Sequence, residues 1–402
     1  MRLLTETSKN FNFSRFLKIL STGESMAILI LADGTIFKGE SLGAEGITTG
    51  ETVFTTGMTG YFETLTDPSY FGQIVTQTFP LIGNYGVIPE DAESRKSFVK
   101  GYIVRNLCEM PSNFRCKENL DSFLKEQNII GIKGIDTRKL TKILRETGVM
   151  NGIIASGKEE LKIEKILENN TEKSKFLEQI KSFKIENAVK SVSRTSIEKP
   201  NAENAKKIVL WDFGAKQNIQ RELEKRGFSV FVVPYNTTFK EILNFSPDGI
   251  MLSNGPGDPS ENTAIINEIK NACDYGKIPI FGICLGHQML ALANGAKTEK
   301  LKYGHRGGNH PVKDLQSGRV YISSQNHGYA VKNETIPKNA ELSFVNCNDG
   351  TCEGIAYKNI PAFSVQFHPE ACGGPHDTNF LFDSFIKMIN ALGAGRVPEA
   401  NR

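Results

Sequence analysis

In the second half of the chain, short apolar runs alternate with segments that have helical periodicity. The apolar runs lie at 208–211, 229–233, 249–252 and 278–281. The helix-like segments lie at 217–226, 262–275 and 288–293. Strands buried on both faces are apolar throughout, and helices connect strands that run in parallel. The pattern predicts an α/β domain at 206–392 with a doubly wound, mostly parallel sheet, in which ligands bind at the carboxyl ends of strands.

The first half of the chain has short β-branched runs that are separated by glycine and other turn residues. These runs lie at 26–31, 50–55, 73–77 and 100–104, and helical periodicity appears only at 119–127 and 137–146. This mixture predicts a separate mixed α+β domain at 26–155. The charge-alternating stretch 156–205 is interpreted as a connecting region. Residues 1–25 are predicted to be a disordered extension and 393–402 a tail; the extension lacks the apolar segment of a secretory signal.

Composition narrows the class of protein. The chain has 402 residues, of which 39% are hydrophobic and 23% charged, as in a soluble globular protein. Its 48 basic and 45 acidic residues give a formal charge of +3, which argues against nucleic acid as a partner. No apolar run approaches the roughly 20 residues that cross a membrane. Seven scattered cysteines favour a reducing compartment, and we expect the cytoplasm.

The clearest candidate for chemistry is a cysteine between a predicted strand and a predicted helix. Gly282-Ile-Cys-Leu-Gly286 is the cysteine form of the G-x-S-x-G turn, whose crowded backbone admits only glycine two residues from the nucleophile. The N-terminus of the following helix favours the thiolate, which is the reactive form of Cys284. The same residues also fit a buried structural cysteine between two packing glycines.

A base for this cysteine is expected in the last third of the chain, where all six histidines lie. A predicted strand ends in Phe367-His-Pro-Glu370, and the proline turns the chain so that Glu370 comes within reach of His368. Histidine can activate a cysteine, and a carboxylate can hold the tautomer of that histidine. A strand end that carries one surface histidine and one surface glutamate is the alternative.

A third segment offers backbone N–H donors for an oxyanion. The sequence has no motif for zinc or for the phosphates of ATP. Asn254-Gly-Pro-Gly-Asp258 predicts a tight turn whose N–H groups, with the one after Cys284, could form an oxyanion hole; a rigid loop is the alternative. The cysteine and histidine spacings close no four-ligand zinc site, so no metal is expected. The phosphate motif G-x-x-x-x-G-K-[ST] does not occur, so any ATP is expected on another chain.

Together, Gly282 to Gln288, Phe367 to Glu370 and Asn254 to Asp258 resemble the motifs of class I, triad-type glutamine amidotransferases. Two further segments, 304–311 and 325–329, resemble the small, glutamine-hydrolysing chain of carbamoyl-phosphate synthetase. The N-terminal domain resembles the same chain at 57–61, 65–70, 80–84 and 134–138. Because other amidotransferases of the class lack this domain, it carries the more specific assignment.

The resemblance implies that Cys284 attacks the side-chain amide of L-glutamine, that His368 passes a proton to the departing ammonia and that Glu370 orients His368. It implies a glutamine and oxyanion pocket formed by Gly255, Gly257, Leu285, Gln288, Asn326, Gly328 and Tyr329. Gly57 joins this set because some relatives have there a serine that touches glutamine; glycine could replace that contact only through its backbone or water.

The implied activity is hydrolysis of glutamine to glutamate and ammonia through a cysteine thioester. A large carbamoyl-phosphate synthetase subunit would use the ammonia, with bicarbonate, to make carbamoyl phosphate for arginine, pyrimidines or both. No cofactor is expected on this chain, and ATP and magnesium are expected on the large partner. A catalytically silent interaction subunit or a free-standing γ-glutamyl hydrolase is the alternative. The complete set of Cys284, His368 and Glu370 argues against the first, and an N-terminal domain suited to partner docking argues against the second.

Overall fold

The computed structural model describes residues 25–200 and 206–393, which contain two separate main sheets. The strands of the N-terminal part are β1 (Met26–Leu31), β2 (Ile36–Gly43), β3 (Ile47–Thr55), β4 (Gln73–Gln77), β5 (Leu81–Ile82), β6 (Gly101–Ile103), β7 (Asn106–Leu107), β8 (Ile130–Lys133) and β9 (Met150–Ser156). Its helices are α1 (Tyr61–Thr66), α2 (Leu120–Glu126), α3 (Thr137–Thr147), α4 (Lys158–Glu168), α5 (Asn170–Ser182) and α6 (Ala188–Val192). The predicted N-terminal extension, apart from Ser25, and the predicted tail, apart from Gly393, lie outside the described residues.

Seven strands of the N-terminal domain close into a barrel in the order β1-β2-β8-β6-β4-β3-β9. Antiparallel pairing of β1 with β9, which puts Ala27 opposite Ser156, completes the ring. Alternate residues of these strands form one apolar cluster, to which α3 adds Leu140 and Leu144. The barrel is therefore a domain with its own hydrophobic core, and strand closure leaves it without exposed edges.

The first two helices after the barrel pack against its outer face. Ile163 of α4 and Ile180 of α5 lie in one cluster with Ile28 and Ile30 of β1. The side chain of Asn151 in β9 donates to the carbonyl of Ile180 at 3.0 Å. These helices of the predicted connecting region therefore belong physically to the N-terminal domain.

The C-terminal domain contains the remaining elements. Its strands are β10 (Lys207–Asp212), β11 (Ser229–Pro234), β12 (Gly249–Leu252), β13 (Ile280–Ile283), β14 (Thr298–Asp314), β15 (Val320–Val331), β16 (Ala340–Asn346), β17 (Cys352–Tyr357) and β18 (Ala362–Val365). Its helices are α7 (Gln217–Lys225), α8 (Phe239–Leu243), α9 (Thr263–Tyr275), α10 (Leu285–Ala293) and α11 (Phe380–Gly393). Among the described residues, no helix combines the length and the apolar character needed to cross a membrane.

A nine-stranded sheet forms the centre of this domain, in the order β11-β10-β12-β13-β18-β17-β16-β14-β15. The first five strands are parallel, and helices cover both faces, which confirms the predicted doubly wound arrangement. The other four strands extend the sheet in antiparallel pairs. Trp211 of β10 is fully buried in the cluster on one face, and its ring N–H donates to the carbonyl of Tyr235 at 3.2 Å.

The two domains meet beside the carboxyl ends of the parallel strands. The turn that contains Asp67 and Ser69 reaches from the barrel into the C-terminal domain, where Asn326 donates to the Asp67 carboxylate at 2.8 Å and Asn254 to the Ser69 hydroxyl at 2.9 Å. Further along, the N–H of Val149 donates to the carbonyl of Lys302 at 2.9 Å. The junction therefore lies at the edge of the sheet where α/β proteins bind ligands.

Candidate active site

Cys284 lies at the sharp turn between β13 and α10. Its φ of 52° and ψ of −102° are rare for a residue with a side chain, and strain of this kind is concentrated at functional sites. A Cβ on Gly286 would lie 2.4 Å from the carbonyl oxygen of Leu252, and one on Gly282 would lie 2.9 Å from the backbone of Gly286. The turn thus requires glycine on both sides of the cysteine, as the G-x-C-x-G spacing predicted.

His368 and Glu370 form a fully buried pair just after β18. Nδ1 of His368 lies 2.7 Å from Oε1 of Glu370, and Nε2 has no hydrogen-bond partner in the described parts of the chain. Burial and the charge of Lys216 lower the pKa of His368, but Glu370 and Cys284 outweigh them and raise it to about 10. Burial raises the pKa of Glu370, whereas His368 and Lys216 lower it to about 2. At neutral pH the pair therefore holds an imidazolium and a carboxylate.

Lys216 connects this pair to the N-terminal domain. Its ammonium lies 3.2 Å from Oε1 of Glu370 and 3.6 Å from Oδ2 of Asp67, and the side chain is almost completely buried. Although burial lowers the pKa of Lys216, the carboxylates of Asp67, Glu370 and Glu93 raise it above its ordinary value. Lys216 therefore stays charged and compensates the carboxylates around it.

Cys284 lines a cavity of about 610 Å³ between the two domains, which we call the reaction cavity. The structure brings six of the predicted pocket residues to the wall of this cavity: Gly255, Gly257, Gln288, Asn326, Gly328 and Tyr329. Leu285 follows Cys284 as the first residue of α10, with its side chain buried in the core. The N–H of Gly286 is occupied by the carbonyl of Ser253 at 3.0 Å, so the N–H of Leu285 is the candidate oxyanion donor beside the sulfur.

Gly57 does not line the cavity that contains Cys284. It lines a separate cavity of about 350 Å³, together with Asp67, Lys216 and residues that follow Glu370. The structure therefore does not bring Gly57 to the wall of the cavity that contains Cys284. The barrel domain lines the reaction cavity with Ser69 of the turn at 65–70, whereas the segment 57–60 lines the other cavity.

Comparison with known protein families agrees with this geometry over both domains. A model described as carbamoyl-phosphate synthase small chain, CPSase domain, matches residues 29–154, and one described as glutamine amidotransferase class-I matches residues 209–388. The carbamoyl phosphate synthase small chain of Listeria monocytogenes serotype 4b is 50% identical over 373 residues, which are 92% of this chain and 98% of the relative. The chain belongs to the carbamoyl phosphate synthase small chain family.

Other relatives support the same membership. The small chain from Clostridium perfringens is 51% identical over 362 residues, which cover 90% of this chain and 99% of the relative. The pyrimidine-specific small chain of Bacillus subtilis is 52% identical over 362 residues, which cover 90% of this chain and 95% of the relative. As a member of this family with a class-I domain, the chain is a glutamine amidotransferase subunit of carbamoyl-phosphate synthase.

The reaction cavity of the small chain is also lined by residues to which the sequence assigned no role, among them Ser69 and Arg306. The hydroxyl of Ser69 accepts a hydrogen bond from Asn254, and its own hydrogen has no acceptor among the residues 25–200 and 206–393, so it can be donated to a ligand. Arg306 is only 5% exposed, and its Nη1 donates to the carbonyl of Tyr303 at 2.7 Å. Both lie in segments that carried the family resemblance, at 65–70 and 304–311, which was the available signal.

One group of potential metal ligands lies behind the cavity wall. In the described parts of the chain, ligand atoms of His305, His327 and Glu353 lie within 4.8 Å of one another. Each already has a protein partner: His305 bonds Asp349 at 2.8 Å, His327 bonds the carbonyl of Tyr329 at 2.7 Å, and Gln325 donates to Glu353 at 2.9 Å. The geometry is that of a hydrogen-bonded polar core, and the absence of a metal stays a prediction.

Proposed function

We propose that Cys284, His368 and Glu370 hydrolyse L-glutamine in the reaction cavity, and that the ammonia passes to a large synthetase subunit. The observation that carries the proposal is the strained Cys284 on the cavity wall, close enough to the buried His368–Glu370 pair to raise the pKa of His368. Glutamine binding by Gly255, Gly257, Gln288, Asn326, Gly328 and Tyr329 is part of the proposal, and Ser69 adds a donor.

The proposed reaction has two halves. Sγ of Cys284 attacks the amide carbon of glutamine, and the N–H of Leu285 with the Gly255 turn stabilises the oxyanion. His368 gives its Nε2 proton to the nitrogen as the C–N bond breaks, which releases ammonia and leaves a γ-glutamyl thioester. His368 then takes a proton from water, whose oxygen attacks the thioester carbon; the C–S bond breaks, and glutamate leaves as the carboxylate after loss of a second proton. Glu370 holds Nδ1 of His368 in both halves.

The partner follows from the fate of ammonia. Protonation in water destroys the nucleophilicity of ammonia, so a subunit that releases it productively needs an acceptor in direct contact. We propose that this acceptor is a large subunit that carries ATP and magnesium and makes carbamoyl phosphate from bicarbonate, with the barrel domain as part of the docking surface. We place the complex in the cytoplasm. Its product would serve arginine synthesis, pyrimidine synthesis or both.

Cys284→Ser in the complex with the large subunit tests this proposal. The serine hydroxyl has a far higher pKa than a thiol, so glutamine-dependent carbamoyl phosphate synthesis should fall by about a thousandfold or more. Synthesis from added ammonium salt should persist, because the ATP chemistry lies on the other chain. Cys347→Ser, at an exposed cysteine, is the matched control and should retain both activities.

Two outcomes would contradict the proposal. Near-normal glutamine-dependent synthesis by Cys284→Ser would show that another residue is the nucleophile. Loss of ammonia-dependent synthesis, with the complex still assembled, would show that this chain contributes directly to the synthetase site.

A further inference from the structure

A second cavity, which we call the cationic groove, lies at the domain junction beside the reaction cavity. Its volume is about 510 Å³. The barrel domain contributes β3 and α3 to its wall, and the C-terminal domain contributes β14. The groove is thus built by both domains, which is a common position for small-molecule sites.

The charge of the groove is one-sided. It is lined by Arg138, Lys142, Arg145 and Arg306, and no aspartate or glutamate of the described residues lines it. Arg138, Lys142 and Arg145 follow one another at spacings of four and three residues, which place them on one face of α3. Within residues 25–200 and 206–393 these three side chains have no ion-pair partner. The chain has a formal net charge of only +3, so these residues concentrate positive charge in the groove.

Arg306 adds a largely buried cation to the groove wall. The residue is 5% exposed, and its buried Nε has no hydrogen-bond partner among the residues that the structure describes. An unpaired buried N–H costs free energy that an acceptor atom would recover. His310 adds no charge at neutral pH, because burial and the neighbouring His305 lower its pKa to about 4. The groove wall therefore combines positive charge with an N–H group that lacks an acceptor in the part of the chain that the structure describes, and an anion answers both.

We propose that the cationic groove binds a small phosphate-bearing anion. The arginine forks match pairs of phosphate oxygens, and lysine adds a point charge, so a multiply charged phosphate fits three exposed cations better than a single carboxylate does. Tyr303 and Arg306 line both this groove and the reaction cavity. The bound anion therefore lies against two residues that also line the reaction cavity.

Calorimetric titration of the full chain with inorganic pyrophosphate tests the proposal. The groove variant combines Arg138→Gln, Lys142→Gln and Arg145→Gln, and the control combines Lys165→Gln, Lys175→Gln and Lys190→Gln at exposed positions of the helices after the barrel. We expect saturable binding to the wild type that weakens about tenfold or more in the groove variant, since one charge-assisted hydrogen bond is already of that order. The control should bind within about twofold of the wild type, because long-range charge alone is screened by salt.

The results that would overturn anion binding can be told apart from a failure of the proposed glutaminase function. Equal weakening in both variants, or no saturable binding to the wild type, overturns the proposal. Loss of large-subunit binding by the groove variant, when the wild type binds no pyrophosphate, would make the groove a docking surface instead. Glutaminase activity of the groove variant without added anion should stay within about twofold of the wild type, because its three exposed side chains lie outside the reaction cavity. A failed pyrophosphate titration therefore leaves the proposed glutaminase function untouched.

Discussion

Ser69 is the residue of the barrel domain that brings a hydroxyl to the reaction cavity, whereas Gly57 lines the neighbouring cavity. We expect Ser69→Ala to raise KM for glutamine about fivefold, because one neutral hydrogen bond is worth about 1 kcal/mol. Gly57→Ser should leave KM within about twofold of the wild type. Steady-state glutaminase kinetics of both variants measure the difference. If KM changed in Gly57→Ser but not in Ser69→Ala, the contact with glutamine would lie at Gly57, as the sequence suggested.

The His368–Glu370 pair predicts a specific pH dependence of stability. Glu370 has a pKa of about 2 against an ordinary 4.5, so its contribution is present above pH 4.5 and is lost as pH falls toward 2. His368 has a pKa of about 10 against an ordinary 6.5, so its contribution is present below pH 6.5 and is lost as pH rises toward 10. Urea unfolding of the wild type and Glu370→Gln should therefore differ most between pH 4.5 and 6.5. A difference in unfolding free energy that does not change with pH would contradict the assigned charges.

The spacing of neighbouring residues was sufficient to propose Cys284, His368 and Glu370, because the motif of a turn or of a strand end spans only a few consecutive residues. Lys216 and Asp67 could not be found in this way. Lys216 belongs to the fragment Gly214-Ala-Lys216, which fits no phosphate motif, and only the packing of the two domains brings it beside Glu370. Residues that act through contacts between domains leave no local pattern in the sequence.

At the scale of elements, the turn between β13 and α10 predicts an unusual response to alanine. Alanine usually stabilises a helix relative to glycine by about 0.5–1 kcal/mol. In Gly286→Ala, however, the new Cβ would lie 2.4 Å from the carbonyl of Leu252. We expect a loss of about 2 kcal/mol in unfolding free energy from this overpacking. Gly393→Ala in α11, where a Cβ meets nothing within 4 Å, is the helical control and should not lose stability.

Measured by chemical denaturation, unchanged stability in Gly286→Ala would mean that β12 yields by several tenths of an ångström. If the start of α10 shifts instead, the N–H of Leu285 moves with it, and glutaminase activity should then fall even though stability is retained.

The apolar runs identified the parallel strands because burial on both faces leaves a continuous signal, as in the fully buried β12 and β13. The same criterion does not detect β14. That strand holds His305 and Arg306 in its buried segment, where hydrogen bonds replace apolar packing. Closure of the barrel could not be predicted from the sequence either. The pairing of β1 with β9 joins the two ends of the N-terminal domain and depends on strand register rather than on composition.

At the scale of the whole molecule, one buried cation compensates acidic groups from both domains. Burial raises the pKa of Glu93 to about 7, even though Lys216 opposes the shift. Lys216→Met would remove the cation that Asp67, Glu93 and Glu370 share, while Glu370 keeps its pairing with His368, so we expect a loss of about 3–5 kcal/mol at neutral pH. The deficit should shrink in mildly acidic solution, because protonation removes the uncompensated charges.

Thermal unfolding of Lys216→Met and of the exposed control Lys225→Met, at neutral and mildly acidic pH, measures this effect. A deficit that grows as the solution becomes acidic would show that Lys216 is stabilised by something other than these carboxylates.

Trp211 gives the C-terminal domain a tryptophan fluorescence signal that the N-terminal domain lacks. It is the only tryptophan of the chain, and its ring packs beside Phe213 in the C-terminal domain. Tryptophan emission therefore reports on the nine-stranded sheet, whereas far-ultraviolet circular dichroism averages over the barrel as well. Melting curves from the two signals will coincide if barrel and sheet unfold as one cooperative unit, and will separate if the barrel unfolds alone.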